Sequence, residues 1–190
     1  ADPSGKFTDP ANTDQGDPAR TANIVVGKDK FPGITPIVTD GDWLVLKTAK
    51  ISVEINKATT QLRVLRADGS LVLEESAPIT FGANSATQHL AQQDGEQFIG
   101  GGMQNGRSVH TGALINIGKN FDWDGDGYPN AVPYYMSSKG YGVLRDTFAR
   151  GSYNFAGQPT TTHEEKRFDA YYFVGDYKQS LGAYTTLTGK

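Results

Sequence analysis

The stretch that decides the fold covers residues 43–74 and reads WLVLKTAKISVEINKATTQLRVLRADGSLVLE. At residues 51–56 apolar and polar side chains alternate, and this period of two is typical of a strand with one buried face. The Asp-Gly pair at 68–69 supplies the positive φ that a tight hairpin turn needs. The stretch therefore predicts an antiparallel meander, with the continuous apolar run Trp43–Leu46 as a buried strand.

Outside the meander, short apolar or alternating segments predict further strands at residues 79–81, 132–137, 140–147 and 167–174. The last of these carries aromatic side chains on both faces, so we expect it to be covered on both sides. Residues 82–93 are polar and show no clear period. Many glycines and aromatics with few long apolar runs favour a mainly β, antiparallel sandwich.

The period changes near the end of the sequence. Tyr177, Leu181 and Tyr184 fall at helical spacing, which predicts a short C-terminal helix with these three residues on its apolar face. Asp176 can cap the start of this helix and Gly189 can end it. The apolar face needs a surface to pack on.

The length of 190 residues suits one large domain, or one domain plus an arm. Residues 1–22 are polar and lack hydrophobic periodicity, which is typical of a flexible arm. The segments Ile24–Val26 and Phe31–Val38 look extended and suit the edge of a sheet. We therefore divide the sequence into an extended arm over 1–40 and a β-sandwich domain over 41–190.

Composition excludes several classes of function. The net charge is −3 without a basic patch, which argues against a nucleic-acid partner. No apolar run approaches the ~18 residues of a membrane span, so we expect no membrane partner. The chain has no cysteine, which rules out disulfides and thiolate metal sites. A polar, β-rich chain without cysteine favours an exported bacterial protein, and we therefore expect secretion.

Glycines, amides, aromatics and aspartates concentrate in residues 98–136, which read FIGGGMQNGRSVHTGALINIGKNFDWDGDGYPNAVPYYM. Gly100–Gly102 lack the third glycine and the βαβ context of a dinucleotide site. Two interpretations of these glycines stay open. One is a sharp bend or bulge at the end of a strand. The other is close approach of the backbone to a ligand or to another domain.

Residues 120–127 read NFDWDGDG and are named here the aspartate loop. Asp122, Asp124 and Asp126, followed by Gly127, have the D-x-D-x-D-G spacing of a calcium loop. The twelfth position is Pro133 instead of glutamate and no helices flank the motif, which rejects a true EF-hand. The loop predicts either an irregular calcium site or a solvated turn whose aspartates bond the backbone.

The other candidate residues in this region give weaker signals. Phe121, Trp123, Tyr128, Tyr134 and Tyr135 suit sugar stacking, but core packing explains them equally well. The three histidines lack metal-ligand spacing, and His110 is expected at the surface, with ligand contact as the alternative. Adjacent Glu164 and Glu165 point to opposite sides of a strand and cannot form a catalytic pair. The sequence therefore predicts no catalytic residue of its own.

Four motifs in order resemble the N-terminal β-sandwich of glycoside hydrolase family 31, the α-glucosidase and α-xylosidase family. The first is LVLKTAKISVEINKATTQLRVLRADGSLVLEE at 44–75, and the second is FIGGGMQ at 98–104. The third, AVPYYMSSKGYGVLRDT at 131–147, is the most specific. The fourth, FDAYYFVGDYKQSLGAYTTLTGK at 168–190, resembles the family's tyrosine-rich strand, turn and helix ending in L-T-G.

The resemblance implies a mutarotase-like β-supersandwich whose C-terminal helix leads into a catalytic (β/α)8 barrel absent from this sequence. The barrel would carry the two catalytic aspartates of a retaining α-glycosidase or of a glucosyl or isomaltosyl transferase. Asn120-Phe121-Asp122 matches an N-x-D motif on a family loop that reaches the barrel mouth. Asn120, Asp122 and Trp123 are therefore expected to bind an α-linked glucan or oligosaccharide, with no cofactor required.

Two other functions remain as alternatives. One is a stand-alone carbohydrate-binding module with Trp123 as its platform. The other is a structural β-domain stabilised by Ca²⁺ at Asp122, Asp124 and Asp126.

Overall fold

The computed structural model describes Val25 and residues 37–104, 107–118 and 130–189. These residues form two antiparallel sheets and one short helix, so the predicted fold class is confirmed. Among the described residues, no helix is long and apolar enough to cross a membrane. The elements, in chain order, are β1 (Ile37–Asp40), β2 (Trp43–Lys47), β3 (Ile51–Asn56), β4 (Leu62–Arg66), β5 (Leu71–Phe81), β6 (Ala86–Leu90), β7 (Phe98–Met103), β8 (Leu114–Ile117), β9 (Asn130–Ser137), β10 (Tyr141–Arg145), β11 (Gly151–Asn154), β12 (Thr160–His163), β13 (Ala170–Val174) and α1 (Tyr177–Thr188).

The two sheets pack face to face around an apolar core. The larger sheet has nine strands in the order β1-β2-β3-β4-β5-β6-β12-β11-β8. The smaller sheet has four, in the order β13-β10-β9-β7. Phe98 of the small sheet stacks on Phe155, just after β11 of the large sheet, with 4.3 Å between ring centroids. Both rings are buried, so this aromatic contact joins the sheets.

The predicted meander at 43–74 is confirmed as β2 to β5, in the sheet order of the sequence. The turn at Asp68-Gly69 has the expected chemistry: Gly69 has φ +83°, and the Asp68 carboxylate accepts a 2.9 Å hydrogen bond from the Ser70 N–H. One detail was wrong, because Trp43–Leu46 is only half-buried. The exposed strand β1 is its outer neighbour, so this strand lies near the edge of the sheet.

Residues 37–40, placed in the arm by the sequence, form this edge strand and pair with β2. Of the remaining arm residues the structure describes Val25 alone. The division into an arm over 1–40 and a domain over 41–190 therefore stays a prediction.

The sequence did not predict the four strands β6, β8, β11 and β12. Each has only four or five residues, and β12 reads TTTH without one aliphatic side chain. These four strands lie side by side in the large sheet, in the order β6-β12-β11-β8, with β8 at the edge. For β12, its pairing partners β6 and β11, and not an apolar pattern of its own, therefore hold the strand in the sheet.

The small sheet is covered on both faces, as the aromatics of residues 167–174 predicted. On β13, Tyr172 and Val174 pack against the main core, while Phe173 belongs to a second cluster with Leu187 of α1. In that second cluster Tyr134 stacks on Tyr184 of the helix at 4.2 Å. The helix thus closes the outer face of the small sheet.

The limits of α1 match the prediction, but of its predicted apolar face only Tyr184 packs against the sheet. Asp176 accepts a 2.8 Å hydrogen bond from the Gln179 N–H and forms a capping box with it. Ser180 and Leu187 are the buried residues, whereas Tyr177 and Leu181 are 39% and 47% exposed. The sheet therefore contacts a face rotated from the one marked by the largest apolar residues.

A polar cluster lies inside the sandwich. The fully buried Arg145 guanidinium lies 3.6 Å from the Glu165 carboxylate and packs over the Phe168 ring. Nearby, His163 donates from Nδ1 to the Ala149 carbonyl oxygen and accepts at Nε2 from the Tyr153 hydroxyl, both at 3.0 Å. Burial, with the Arg145 charge adding to it, lowers the pKa of His163 to about 3.

The three glycines of β7 form a bulge against β9. Gly100, Gly101 and Gly102 have φ of +114°, +75° and +85°. Gly100 pairs with Tyr135 and Gly102 with Ala131, so residues 132–134 of β9 stand opposite Gly101 alone. A Cβ at Gly100 would lie 2.7 Å from the Tyr134 carbonyl oxygen. The bulge interpretation is confirmed, and the close approach seen here is to the chain's own β9.

The Gly100 bulge gives the first testable prediction. Gly100→Ala should destabilise the domain by about 3 kcal/mol, because the methyl group meets the β9 backbone at a φ that L-residues avoid. Gly112→Ala is the matched control: φ there is +79° and nothing lies within 4 Å of the new Cβ, so about 1 kcal/mol is expected. Urea unfolding of both variants measures the difference, and equal losses would contradict the packing argument.

The second testable prediction concerns His163, which is buried and neutral. Below pH 6.5 the unfolded chain protonates this histidine while the folded one does not, so stability is lost as the pH falls from about 6.5 toward 3. Between pH 7 and pH 5 the wild type should lose about 2 kcal/mol more than His163→Gln. Urea unfolding at the two pH values measures this, and identical pH dependence in both proteins would show that His163 is not protected from protonation.

Candidate functional site

The residues that the sequence predicts for sugar or calcium binding all fall in one segment. Asn120, Asp122, Trp123, Asp124 and Asp126 belong to residues 119–129, which lie outside the described residues. Their roles therefore stay predictions. The structure does describe the residues on which this segment is mounted.

The aspartate loop connects the two sheets at the glycine bulge. Gly118 follows β8, at the edge of the large sheet, and Asn130 begins β9 of the small sheet. Asn130 pairs with Met103, the last residue of β7, and Ala131 pairs with Gly102. The base of the loop is therefore formed by the ends of β7 and β8 and the start of β9.

Buried polar side chains hold this base together. The Gln104 amide donates to the Gly101 carbonyl oxygen at 2.7 Å and to that of Asn116 at 3.4 Å, which links β7 to β8. Gln104 is 8% exposed, so these bonds are shielded from water. The bulged β7 backbone is thus tied to β8 of the neighbouring sheet.

His110 belongs to the same support, and its expected surface position was wrong. It is 2% exposed, and its Nε2 donates to the Gly100 carbonyl oxygen at 2.9 Å. Its backbone N–H also donates to the Phe98 carbonyl oxygen. Burial lowers the pKa of His110, which favours the neutral ring. The side chain donates to the carbonyl oxygen of a bulge glycine, a role that residue spacing did not indicate.

Arg150 is a feature of the base that the sequence did not single out. It is exposed, and its Cγ lies 3.6 Å from where a Cβ on Gly118 would be. The aliphatic part of the Arg150 side chain thus packs beside Gly118, which lies two residues before the aspartate loop. A Cβ at Gly118 would make ordinary van der Waals contact with this side chain. Only the fold brings these two residues together, since they are far apart in sequence.

Two of the five aromatics considered for sugar stacking are core residues. Tyr135 is fully buried between the sheets and Tyr134 is 5% exposed beneath α1. Burial raises the pKa of both phenols well above the ordinary value. Core packing therefore explains these two tyrosines. Phe121, Trp123 and Tyr128 lie outside the described residues.

The three glutamates among the buried carboxylates that the structure describes have partners within the domain. Glu75 accepts from the Leu62 N–H and the Gln88 amide, and Glu96 accepts from the Gln93 N–H and the Ser137 hydroxyl. Glu165 lies 3.6 Å from both Arg145 and Arg167. Within the described ranges, no group of three or more His, Cys, Asp or Glu residues is placed to hold a metal ion.

Comparison with known proteins gives consistent relationships. A sequence model described as the glycosyl hydrolase 31 N-terminal galactose mutarotase-like domain matches residues 3–154. No curated protein sequence matches the chain. The fold is similar to part of a Flavobacterium johnsoniae GH31 dextranase solved with isomaltotriose, with a TM-score of 0.76 and 21% identity. That match covers 87% of this chain and 22% of the dextranase.

Two further solved structures share the fold. A cycloalternan-forming enzyme from Listeria monocytogenes, solved with a pentasaccharide substrate, gives a TM-score of 0.70 at 19% identity, covering 85% of this chain and 18% of the enzyme. A GH31 α-xylosidase from a soil metagenome, solved with xylose, gives 0.66 at 20% identity, covering 84% and 29%.

The chain therefore spans less than a third of each of these enzymes. At such identities the structural likeness establishes the fold alone, whereas the sequence model covers well over half of the 190 residues. The chain belongs to the family of N-terminal galactose mutarotase-like domains of glycosyl hydrolase 31.

Proposed function

We propose that this domain serves a retaining α-glycosidase, or an α-glucosyl or isomaltosyl transferase, acting on α-glucans or their oligosaccharides. The family match over residues 3–154 is the observation that carries the proposal. Solved proteins of similar fold add support, since one is a dextranase solved with isomaltotriose and another a cycloalternan-forming enzyme solved with a pentasaccharide. The acid/base and nucleophilic carboxylates would lie on the catalytic barrel.

The domain would contribute the aspartate loop to the substrate site. Asp122 and Asn120 can bond sugar hydroxyls, and Trp123 can stack on the apolar face of a pyranose ring. A loop used in this way needs a rigid base, because small displacements of a positioning group weaken catalysis strongly. The Gly100 bulge, Gln104 and His110 form such a base in the described part of the chain.

The contacts of the buried glutamates in the described part of the chain support the placement of the catalytic carboxylates on the barrel. A glycosidase needs two carboxyl groups that flank a scissile bond, one of them a proton donor. Glu75, Glu96 and Glu165 are each held by hydrogen bonds or ion pairs inside the domain. We therefore expect the isolated 190-residue chain not to hydrolyse an aryl α-glucoside.

Two other roles are distinguished by simple measurements. A stand-alone carbohydrate-binding module would bind isomaltose or maltose without a barrel, which calorimetric titration of the isolated chain detects. A calcium-stabilised domain is suggested by the D-x-D-x-D-G spacing of Asp122, Asp124 and Asp126. Secretion stays a prediction from composition.

The role of the loop predicts the effect of Asp122→Ala in the whole enzyme. Loss of a charge-assisted hydrogen bond to the sugar should lower kcat/KM by about tenfold to a hundredfold, with little change in melting temperature. Asp94→Ala, at an exposed turn before β7, is the control and should leave kcat/KM unchanged. Steady-state kinetics on isomaltotriose measures both variants. Equal activity of Asp122→Ala and wild type would remove the loop from the substrate site.

The calcium alternative predicts a different pattern. If the aspartates hold a structural ion, a chelator should lower the melting temperature of the isolated chain by several degrees, on the order of 1–2 kcal/mol. Asp124→Ala and Asp126→Ala should abolish that difference. A melting curve that the chelator does not shift would leave the solvated turn as the account of this motif.

A further inference from the structure

One turn of the domain presents an aromatic side chain to water. Residues 146–150 join β10 of the small sheet to β11 of the large sheet. Phe148 is 56% exposed, whereas its neighbours Thr147 and Ala149 are 1% and 8% exposed. Arg150, the last residue of the turn, is exposed as well. The turn therefore buries its small residues and leaves an aromatic ring and an arginine at the surface.

Hydrogen bonds from inside the sandwich hold the backbone of this turn. The Ala149 carbonyl oxygen accepts from Nδ1 of the buried His163 at 3.0 Å, and the Ala149 N–H donates to the Thr147 hydroxyl at 2.9 Å. The Asp146 carbonyl oxygen accepts from the Arg167 guanidinium at 3.0 Å. The backbone on both sides of the exposed ring is therefore fixed, so covering the ring costs little conformational entropy.

An aromatic ring and an arginine on a rigid turn suit a docking surface. Aromatic and arginine side chains are enriched at the energetic centres of protein interfaces. Single exposed apolar residues are common on ordinary surfaces, however. The position of the turn in the fold decides what the exposed ring means.

The turn lies at the end of the sandwich that carries the base of the aspartate loop. It leads into β11, which pairs with β8, and Cγ of Arg150 lies 3.6 Å from the Cβ position of Gly118 at the end of β8. Phe81 and Met103 are the last residues of β5 and β7, and the pairing registers put both at this end. They are 38% and 48% exposed. Three exposed apolar side chains, counting Phe148, thus share one end of the sandwich with the base of the loop.

The number of residues in the loop limits how far a partner at this end can be. Gly118 and Asn130 are twelve Cα–Cα steps apart, and a chain of that length that leaves and returns reaches at most about 20 Å. If the loop contacts sugar in a catalytic barrel, the barrel must approach this end of the sandwich. The compared enzymes are long enough to hold such a barrel, since this chain covers 22%, 18% and 29% of them.

We propose that this end of the domain docks against the catalytic barrel of the same protein, with Phe148 as its anchor. The inference rests on the function proposed above. The barrel offers an apolar recess for the Phe148 ring and a carboxylate for the Arg150 guanidinium. Docking here holds the base of the aspartate loop at a fixed distance from the substrate.

Hydroxyl-radical footprinting tests the proposal, because the oxidation rate of a side chain reports its exposure to water. Phe148 should be oxidised about tenfold more slowly in the whole enzyme than in the folded 190-residue chain, because an interface anchor is desolvated. Val38, 60% exposed on β1 at the other edge of the large sheet, is the control and should react equally in both.

Three results would overturn the proposal. The first is equal oxidation of Phe148 in the two proteins. The second is protection that rises with the concentration of the 190-residue chain, which would assign the ring to a contact between copies. The third is protection that requires isomaltotriose, which would assign it to sugar.

Melting temperatures give a matched mutational test. Phe148→Ala should shift the 190-residue chain by less than about 1 °C, but should lower the whole enzyme by about 3–5 °C, because only there is the ring covered. Phe148→Leu should lose less, and Leu114→Ala, at the opposite end of β8 and 58% exposed, should change neither protein. Equal losses from Phe148→Ala in both proteins would make the ring part of the domain's own packing and overturn the docking role.

The docking surface and the sugar contact can fail separately. Protection of Phe148 together with full activity of Asp122→Ala would support the docking and remove the loop from the substrate site. An unprotected Phe148 together with reduced activity of Asp122→Ala would retain the sugar contact and overturn the docking.

Discussion

The aromatic contact between the two sheets is the interaction on which the rest of the structure depends. Phe98 stacks on Phe155 at 4.3 Å, and Tyr135 packs edge-on against both rings. Burying these rings fixes β7 and β9 of the small sheet against β11 of the large sheet. Phe98 lies two residues before Gly100 in β7, so the same contact also fixes the strand that carries the glycine bulge.

From that contact outward, the described strands form the base on which the aspartate loop is mounted. The β7 bulge brings the backbone within reach of β9, and the Gln104 amide and the His110 ring hold the carbonyls that the bulge exposes. Breaking one of these buried hydrogen bonds would leave a polar group without its partner and away from water, which costs free energy. The base is therefore rigid. The residues that would touch sugar then sit on a segment whose two ends are fixed to different sheets.

The sequence predicted the parts of the fold that local pattern controls. Alternation and the Asp68-Gly69 turn predicted the meander, and the Asp176 cap predicted the helix limits. The sequence did not predict the short polar strand β12, because pairing with β6 and β11 holds it in the sheet and its own sequence has no apolar alternation. The predicted apolar face of α1 was wrong at Tyr177 and Leu181, because the residues that become buried depend on how the helix is rotated against β10 and β13. The sequence also indicated the candidate binding residues of the aspartate loop. It did not indicate the hydrogen bond from His110 to Gly100 or the packing of Arg150 beside Gly118, because both depend on tertiary contacts.

In the function that we propose, the aspartate loop of this domain forms part of the substrate site of a larger glycoside hydrolase. Hydrogen–deuterium exchange of the whole enzyme, with and without isomaltotriose, tests it most directly. The account predicts slower exchange in peptides covering residues 119–129 when the sugar is bound, with no change in the β3–β4 hairpin. Unchanged exchange at 119–129, while peptides of the catalytic barrel become protected, would contradict it.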